Sequence, residues 1–399
     1  MNLPDNVRAF MEYIESRGYK CYLVGGAVRD ILSGKTPKDF DFTTDAKPEE
    51  IKEIFEKYIE TGVDFGTITA EFNGEYFEIT TFRLEHRYSD GRRPDMVFYS
   101  DSLLSDLSRR DFTMNAIALD KDLSVYDYYN GMEDLKNHLL RTIGRAKVRF
   151  REDRLRKLRG IRIACENNYL IHEDILKSIK TDPGLEGVSG ERIKTELDRI
   201  LLCDSARRGV ELLYRLHLIG EILPELDENM DPDLESWEAY TGSIHVAFQD
   251  LSLKVYLFLR PLKEARSIQK ALDQLKYQRR IQKNAMAMAW YETVETMEGF
   301  MDHLPAFQEE QFRLFQQLDQ VLGRFPVWER LLEEVIQGRV PRKVTDLAIG
   351  GADLKELGYR GREIGEILNG LLRKVVLEPE NNRRDWLLAQ IIKKKEENP

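Results

Sequence analysis

The chain has 399 residues, enough for two to four domains of about 150 residues and for a sizeable core that needs no disulfide or metal staple. Lysine and arginine total 60 against 70 aspartate and glutamate, a net charge of −10 with a pI near 5.4, so a nucleic-acid partner must meet positive charge that is concentrated locally. Three scattered cysteines (Cys21, Cys165, Cys203) without a CxxC exclude disulfide scaffolds and zinc ribbons, and with no apolar run of spanning length and no signal-like start at Met1 the expectation is a soluble, cytoplasmic protein with no membrane partner.

In chain order, the first 135 or so residues alternate strand-like and helical segments. Cys21-Tyr-Leu-Val is a short apolar run that ends in Gly25-Gly26, and a helix follows, closing near Ser33-Gly34. Asp39-Phe-Asp-Phe42 and Thr67-Ile-Thr-Ala-Glu-Phe72 alternate with period two. Asn73-Gly74 separates the latter from Tyr76-Phe-Glu-Ile-Thr-Thr-Phe82, which predicts a hairpin. A short helix is expected over 111–118. From about residue 138 the apolar spacing is three to four, and the rest of the chain reads as helices punctuated by Pro183-Gly184, Pro232 and Pro341.

Two constellations carry chemistry. In Gly25-Gly26-Ala-Val-Arg29-Asp30 the glycines let backbone N–H groups approach an anion, and Arg29 can fork onto phosphate oxygens. In Asp39-Phe-Asp-Phe42 the alternation sends Phe40 and Phe42 to the core and both carboxylates to the opposite face. Like charges there repel unless a cation sits between them. Mg2+ is the natural occupant, because it takes oxygen ligands and leaves positions open for a triphosphate. Paired ions about 3.5–4 Å apart can serve both an attacking hydroxyl and a leaving pyrophosphate. Glu78 points away from the core face of Phe77 and Ile79 and is the third candidate carboxylate. Taken singly, these are an ordinary βα turn and a polar strand face; their succession nine residues apart favours the functional reading.

With these residues in place the sequence resembles the class II tRNA nucleotidyltransferases and bacterial poly(A) polymerases of the polymerase-beta superfamily. Gly25 to Asp30 with Asp39 and Asp41 is similar to their first motif, and Arg109-Arg110-Asp111-Phe-Thr-Met-Asn115-Ala116 to their second. The span from Asp127 to Arg141 resembles the third, Glu152-Asp153-Arg-Leu-Arg156 the fourth, and Glu191-Arg-Ile-Lys-Thr-Glu196 the fifth. The five stand in family order over residues 22–202, about half the chain. The resemblance implies an α+β protein: a catalytic head over 1–137, then an all-helical neck (138–205), body (206–330) and tail (331–399). It also implies Mg2+ as cofactor, and CTP, ATP and tRNA as partners.

The second and fourth motifs also make physical sense alone. Asp111 and Asn115, four residues apart on the expected helix, offer acceptors and a donor to ribose hydroxyls, while Arg110 suits phosphate. Between Arg141 and Arg162 ten basic residues face two acidic ones, the place where RNA or triphosphate should bind. Asp153, Arg156, Arg159 and Arg162 recur every third residue, a stripe along one helix. Cytosine and adenine both present an amino donor beside a ring-nitrogen acceptor, which Asp153 and Arg156 complement; uracil and guanine present the reverse. The resemblance gives Arg159 and Arg162 contact with the nucleotide or support of that pair.

Among products, full CCA addition is favoured over CC-only, A-only or poly(A) synthesis. The interval Arg83-Leu-Glu-His-Arg-Tyr-Ser-Asp-Gly91, before Arg92-Arg93-Pro94, has the full length that CC-only relatives lack, and no strongly basic extension ends the chain. None of the six histidines pairs in the manner of a metal hydrolase. A non-catalytic RNA-binding protein is opposed by the intact Asp39, Asp41, Arg110 and Asp153, and a small-molecule nucleotidyltransferase by the long helical body. Lys254, Lys276, Arg279, Arg280 and Arg342 are the candidate tRNA contacts of that body.

Overall fold

The computed structural model describes residues 3–62, 65–86, 96–230 and 233–397, grouped into two compact units, Met1–Glu228 and Asn229–Pro399. The first unit opens with helix α1 (Asp5–Ser16), strand β1 (Cys21–Val24), helix α2 (Gly26–Leu32), strand β2 (Asp41–Thr44) and helix α3 (Pro48–Ile54). Strands β3 (Tyr58–Gly62), β4 (Thr67–Phe72) and β5 (Glu75–Thr81) follow. As the Asn-Gly pair foretells, β4 and β5 form a hairpin, with Asn73 at φ +52° and Gly74 at φ +84°. β6 (Arg83–His86) and β7 (Met96–Tyr99) form a separate ribbon. Of the interval read as a full-length loop, the part from 87 to 94 lies outside the described residues.

Next come α4 (Leu103–Ser108), a 3₁₀ turn (Thr113–Asn115), β8 (Ile117–Leu119), β9 (Val125–Asp127) and α5 (Gly131–Lys136). Seven strands make one mixed sheet in the order β3-β4-β5-β2-β1-β8-β9, in which β2 and β5 run parallel and the other neighbours antiparallel. One face packs on α1: Phe10 meets Phe42 and Phe77 with ring centroids 4.7 Å away in each case, and Ile68 and Ile79 complete the layer. The other face carries Phe82, Leu107 and Ile143 in a second cluster.

A short parallel pair, β10 (Leu139–Leu140) with β11 (Leu170–Ile171), introduces the helical half of this unit: α6 (Ala146–Glu152), α7 (Arg156–Asn167), α8 (Glu173–Thr181), α9 (Gly190–Leu202) and α10 (Ala206–Arg215). Three expectations need correction. The strand read from Asp39 begins at Asp41, so Asp39 precedes it in the loop. The helix expected over 111–118 is a single 3₁₀ turn that runs into β8. Ile117, Ala118 and Leu119 are fully buried between β1 and β9, and an interior strand, apolar on both faces, lacks the alternation that would reveal it. The stripe from Asp153 to Arg162 is broken as well: α6 ends at Glu152, Asp153 is extended (φ −145°, ψ 109°), and α7 starts at Arg156.

The second unit is helical throughout its described residues. Its largest helices include Leu234–Val246, Arg279–Tyr291, Glu309–Leu322 and Arg362–Leu377, and Tyr291 lies flat on Phe315 with centroids 4.3 Å apart. Lys254, read as a surface contact for RNA, is instead buried, its ammonium donating to the Ile244 carbonyl. It satisfies a backbone acceptor inside an apolar helix, where no polyanion can reach it. No helix among the described residues is long and apolar enough to cross a membrane.

Candidate active site

Strand register assembles the site. β1 pairs antiparallel with β2 so that Val24 faces Asp41, and β5 pairs parallel with β2 so that Glu78 faces Asp41. The turn at Gly25 therefore sits beside Asp41. Gly25 has φ +74°, so a side chain at this position would be strained, and a Cβ there would touch Asp41 Oδ2 (3.4 Å) and Arg110 Nη1 (3.7 Å) at ordinary contact distance. Asp41 and Glu78 stand on the sheet face opposite Phe42, Phe77 and Ile79, as the alternation requires.

The carboxylates crowd one another. Loss of water around Asp41 pushes its pKa up; Arg110 and Arg159 oppose this and Asp39 adds to it. Glu78 is pushed up by desolvation and by Asp41, against Arg83. Two neighbouring acids that resist ionising are what a divalent cation relieves, and the donors are hard oxygens. Among the described residues no three acidic, His or Cys side chains converge tightly enough to enclose a metal ion unaided. Asp41 and Glu78, side by side in the strand register, are the oxygen donors that would hold a divalent ion.

Arg110 flanks this corner. Its Nη2 donates to Asp106 Oδ2 at 3.0 Å, while its Nε is buried without a hydrogen-bond partner. Asp106, fully buried, also accepts from Arg109 Nε and Nη2 at 2.9 and 2.7 Å. Burial opposes its ionisation, but the two guanidiniums prevail and hold its pKa below the usual range. Sequence reasoning passed over Asp106, although its spacing of three and four residues from the arginine pair was the available signal.

A second chain of bonds joins α2, the 3₁₀ turn and α7. Arg29 holds Asp30 at 2.9 Å and donates Nη1 to Asn115 Oδ1 at 3.2 Å. Asn115 donates to Asp111 Oδ1 at 3.0 Å, and Asp111 Oδ2 pairs with Arg159 Nε at 2.7 Å. Burial resists the charge on Asp111, yet Arg159, Arg156, the Asn115 amide and the Phe112 N–H hold its pKa low. Asp111 and Asn115 therefore do meet, through one turn rather than a helix.

Asp153 and Arg156 are each braced by another partner. Asp153 accepts from Arg192 Nη2 at 2.8 Å and from the Leu155 N–H at 3.1 Å. Arg156 donates to Glu152 at 2.6 Å and to the Arg109 carbonyl at 3.0 Å. A carboxylate has about four acceptor sites and a guanidinium about five donors, so both keep capacity for a base edge. Arg162 is buried and paired with Glu196 and Glu166, which ties α7 to α9. Arg192 and Glu152 were not singled out as braces. Arg192 lies 39 residues from Asp153, and no local pattern links them.

Carboxylates paired beside a glycine turn, with a guanidinium next to them, are the groups that nucleotidyl transfer uses. The segment 21–141 matches the family described as "Poly A polymerase head domain", and 168–230 matches "Probable RNA and SrmB- binding site of polymerase A". The chain is 32% identical over 406 residues to the CCA-adding enzyme of Lactobacillus helveticus, an alignment covering 96% of each, and 44% identical over 200 residues, half of each chain, to that of Staphylococcus haemolyticus. It is similar in structure to the Bacillus stearothermophilus CCA-adding enzyme in complex with CTP (TM-score 0.76, 27% identity, 98% of both chains). The Thermotoga maritima CCA-adding enzyme complexed with tRNA shares the fold (TM-score 0.63, 19% identity, 98% of this chain and 97% of that one). The chain belongs to the CCA-adding enzyme family, the class II tRNA nucleotidyltransferases.

Proposed function

We propose that this chain completes the 3′ end of tRNA in the cytoplasm, adding C, C and A in turn from CTP and ATP without a nucleic-acid template. The observation that carries the reading is the register pairing of Asp41 with Glu78 beside the Gly25 turn and Arg110, on a chain of the CCA-adding family. The terminal tRNA hydroxyl attacks the α-phosphorus of the incoming nucleotide, the bond to the β-phosphate oxygen breaks, and pyrophosphate leaves.

Asp39 and Asp41 are the ligands for Mg2+, with Glu78 alongside. Two such ions, when bound, supply the electrophilic stabilisation of attacking and leaving oxygens that side chains alone lack. Gly25, Gly26, Arg29 and Arg110 receive the triphosphate, and Asp111 and Asn115 form the sugar side of the pocket. Asp153 and Arg156 read the base edge; Arg159 holds Asp111, and Arg162 steadies the helix that carries them. The finer division into head (1–137), neck (138–205), body (206–330) and tail (331–399) gives the last two the tRNA, with Lys276, Arg279, Arg280 and Arg342 as candidate contacts.

Incubating tRNA that lacks its terminal CCA with CTP, with ATP and with both tests the reading. Two added nucleotides with CTP alone, three with both and none with ATP alone are expected. Extension by ATP alone would overturn it.

A further inference from the structure

The geometry points to Asp106 as the positioning residue that aims Arg110 into the corner between Gly25 and Asp41, where the nucleotide's phosphates are received. The inference rests on the reading of Arg110 as a phosphate ligand and adds what holds it there. Asp106 is completely buried on α4, and one carboxylate serves three groups. Oδ1 takes the fork of Arg109, whereas Oδ2 takes a single bond from Arg110 Nη2 at 3.0 Å and lies 3.2 Å from the Thr43 hydroxyl, which also reaches the Thr80 carbonyl at 3.1 Å.

That division of labour has two consequences. First, Arg110 is tethered at one nitrogen only. Nη1 lies beside Gly25, and the buried Nε has no hydrogen-bond partner, so two of the three guanidinium nitrogens are not held by the tether. Second, Thr43 is two residues from Asp41 on β2 and shares its face, so the hydroxyl ties the tether to the strand that presents the carboxylates. One negative charge among two guanidiniums leaves the cluster positive, as a triphosphate requires. Without Asp106, Arg110 would be drawn to Asp41, on which its charge already acts, and an arginine that collapses onto Asp41 blocks cation and phosphate together. Asp106 touches neither substrate nor the reacting atoms; it acts through Arg110.

The test is CTP and ATP binding by titration calorimetry without RNA, together with kcat and KM on trimmed tRNA. Asp106→Asn keeps the shape but turns a donor toward an arginine. It should weaken both nucleotides by roughly 10-fold and equally, because phosphate contacts ignore the base, and most of the loss should appear in KM. Asp106→Glu should recover part of it. The double variant with Arg110→Ala should bind no worse than Arg110→Ala alone. Wild-type affinity in Asp106→Asn, a loss confined to one nucleotide, or additive losses in the double variant would overturn the inference. If Arg110→Ala itself binds both nucleotides normally, the phosphate reading fails instead, and the two failures are told apart. Should Asp106→Asn not fold, Thr43→Val decides: it leaves every charge paired, so a several-fold rise in both dissociation constants supports the tether and unchanged values overturn it.

Discussion

Asp41 and Glu78 face one another across parallel strands, both exposed, and the negative charge of Asp41 helps push the Glu78 pKa up. Asp41→Asn removes one charge without touching the core. It should abolish nucleotide incorporation and leave the melting temperature unchanged, because the side chain is exposed; a lowered melting temperature would mean that the carboxylate is structurally required. For the base edge, Arg156→Ala deletes the positive group that rejects uracil N3–H and guanine N1–H. UTP and GTP should gain on CTP and ATP in relative kcat/KM by roughly 10- to 100-fold, and a uniform fall for all four would give Arg156 a phosphate or bracing role instead. At this scale the facing of Asp41 and Glu78 away from the core was legible, because strand alternation dictates it. What was not legible were the braces. Glu152 is adjacent to Asp153 and looked like part of a motif, and Arg192 reaches Asp153 from another helix, a contact that only the fold creates.

At the level of elements, sequence periodicity succeeded where one face is wet and failed where both are dry. The β4–β5 hairpin was written in its alternation and its Asn-Gly turn, whereas β8, buried on both faces, was mistaken for the end of a helix. The same blindness hid the break between α6 and α7, because residues on either side keep helical spacing while Asp153 itself is extended. The short turn that places Asn115 depends on close packing by α5. A Cβ at Gly131 would stand 2.4 Å from the Thr113 carbonyl oxygen and 2.8 Å from Ile117 Cγ1. Gly131→Ala must therefore push the turn and α5 apart, at about 1–3 kcal/mol, and weaken nucleotide binding through Asn115. Denaturant unfolding and CTP titration check both parts; wild-type values in each would show that the turn tolerates displacement.

Across the whole molecule, an acidic chain of net −10 concentrates positive charge in one segment of a single unit, so overall charge misleads about function where its distribution does not. The buried acids make the chain acid-labile in a defined direction. Asp106 and Asp111 have folded-state pKa values below the ordinary range, so their stabilisation is complete above about pH 4 and is lost as pH falls through those depressed values. Urea unfolding from pH 7 to 3 should show stability dropping below about pH 4, with a shallower drop in Asp111→Asn; identical slopes would remove Asp111 from that account. The central claim is that protein side chains alone choose the nucleotide and stop after three. Sequencing the products of trimmed tRNA incubated with equal concentrations of all four nucleoside triphosphates tests it most directly. A single product ending in CCA is predicted, and ends that carry U or G, or tails that run on beyond the third nucleotide, would contradict it.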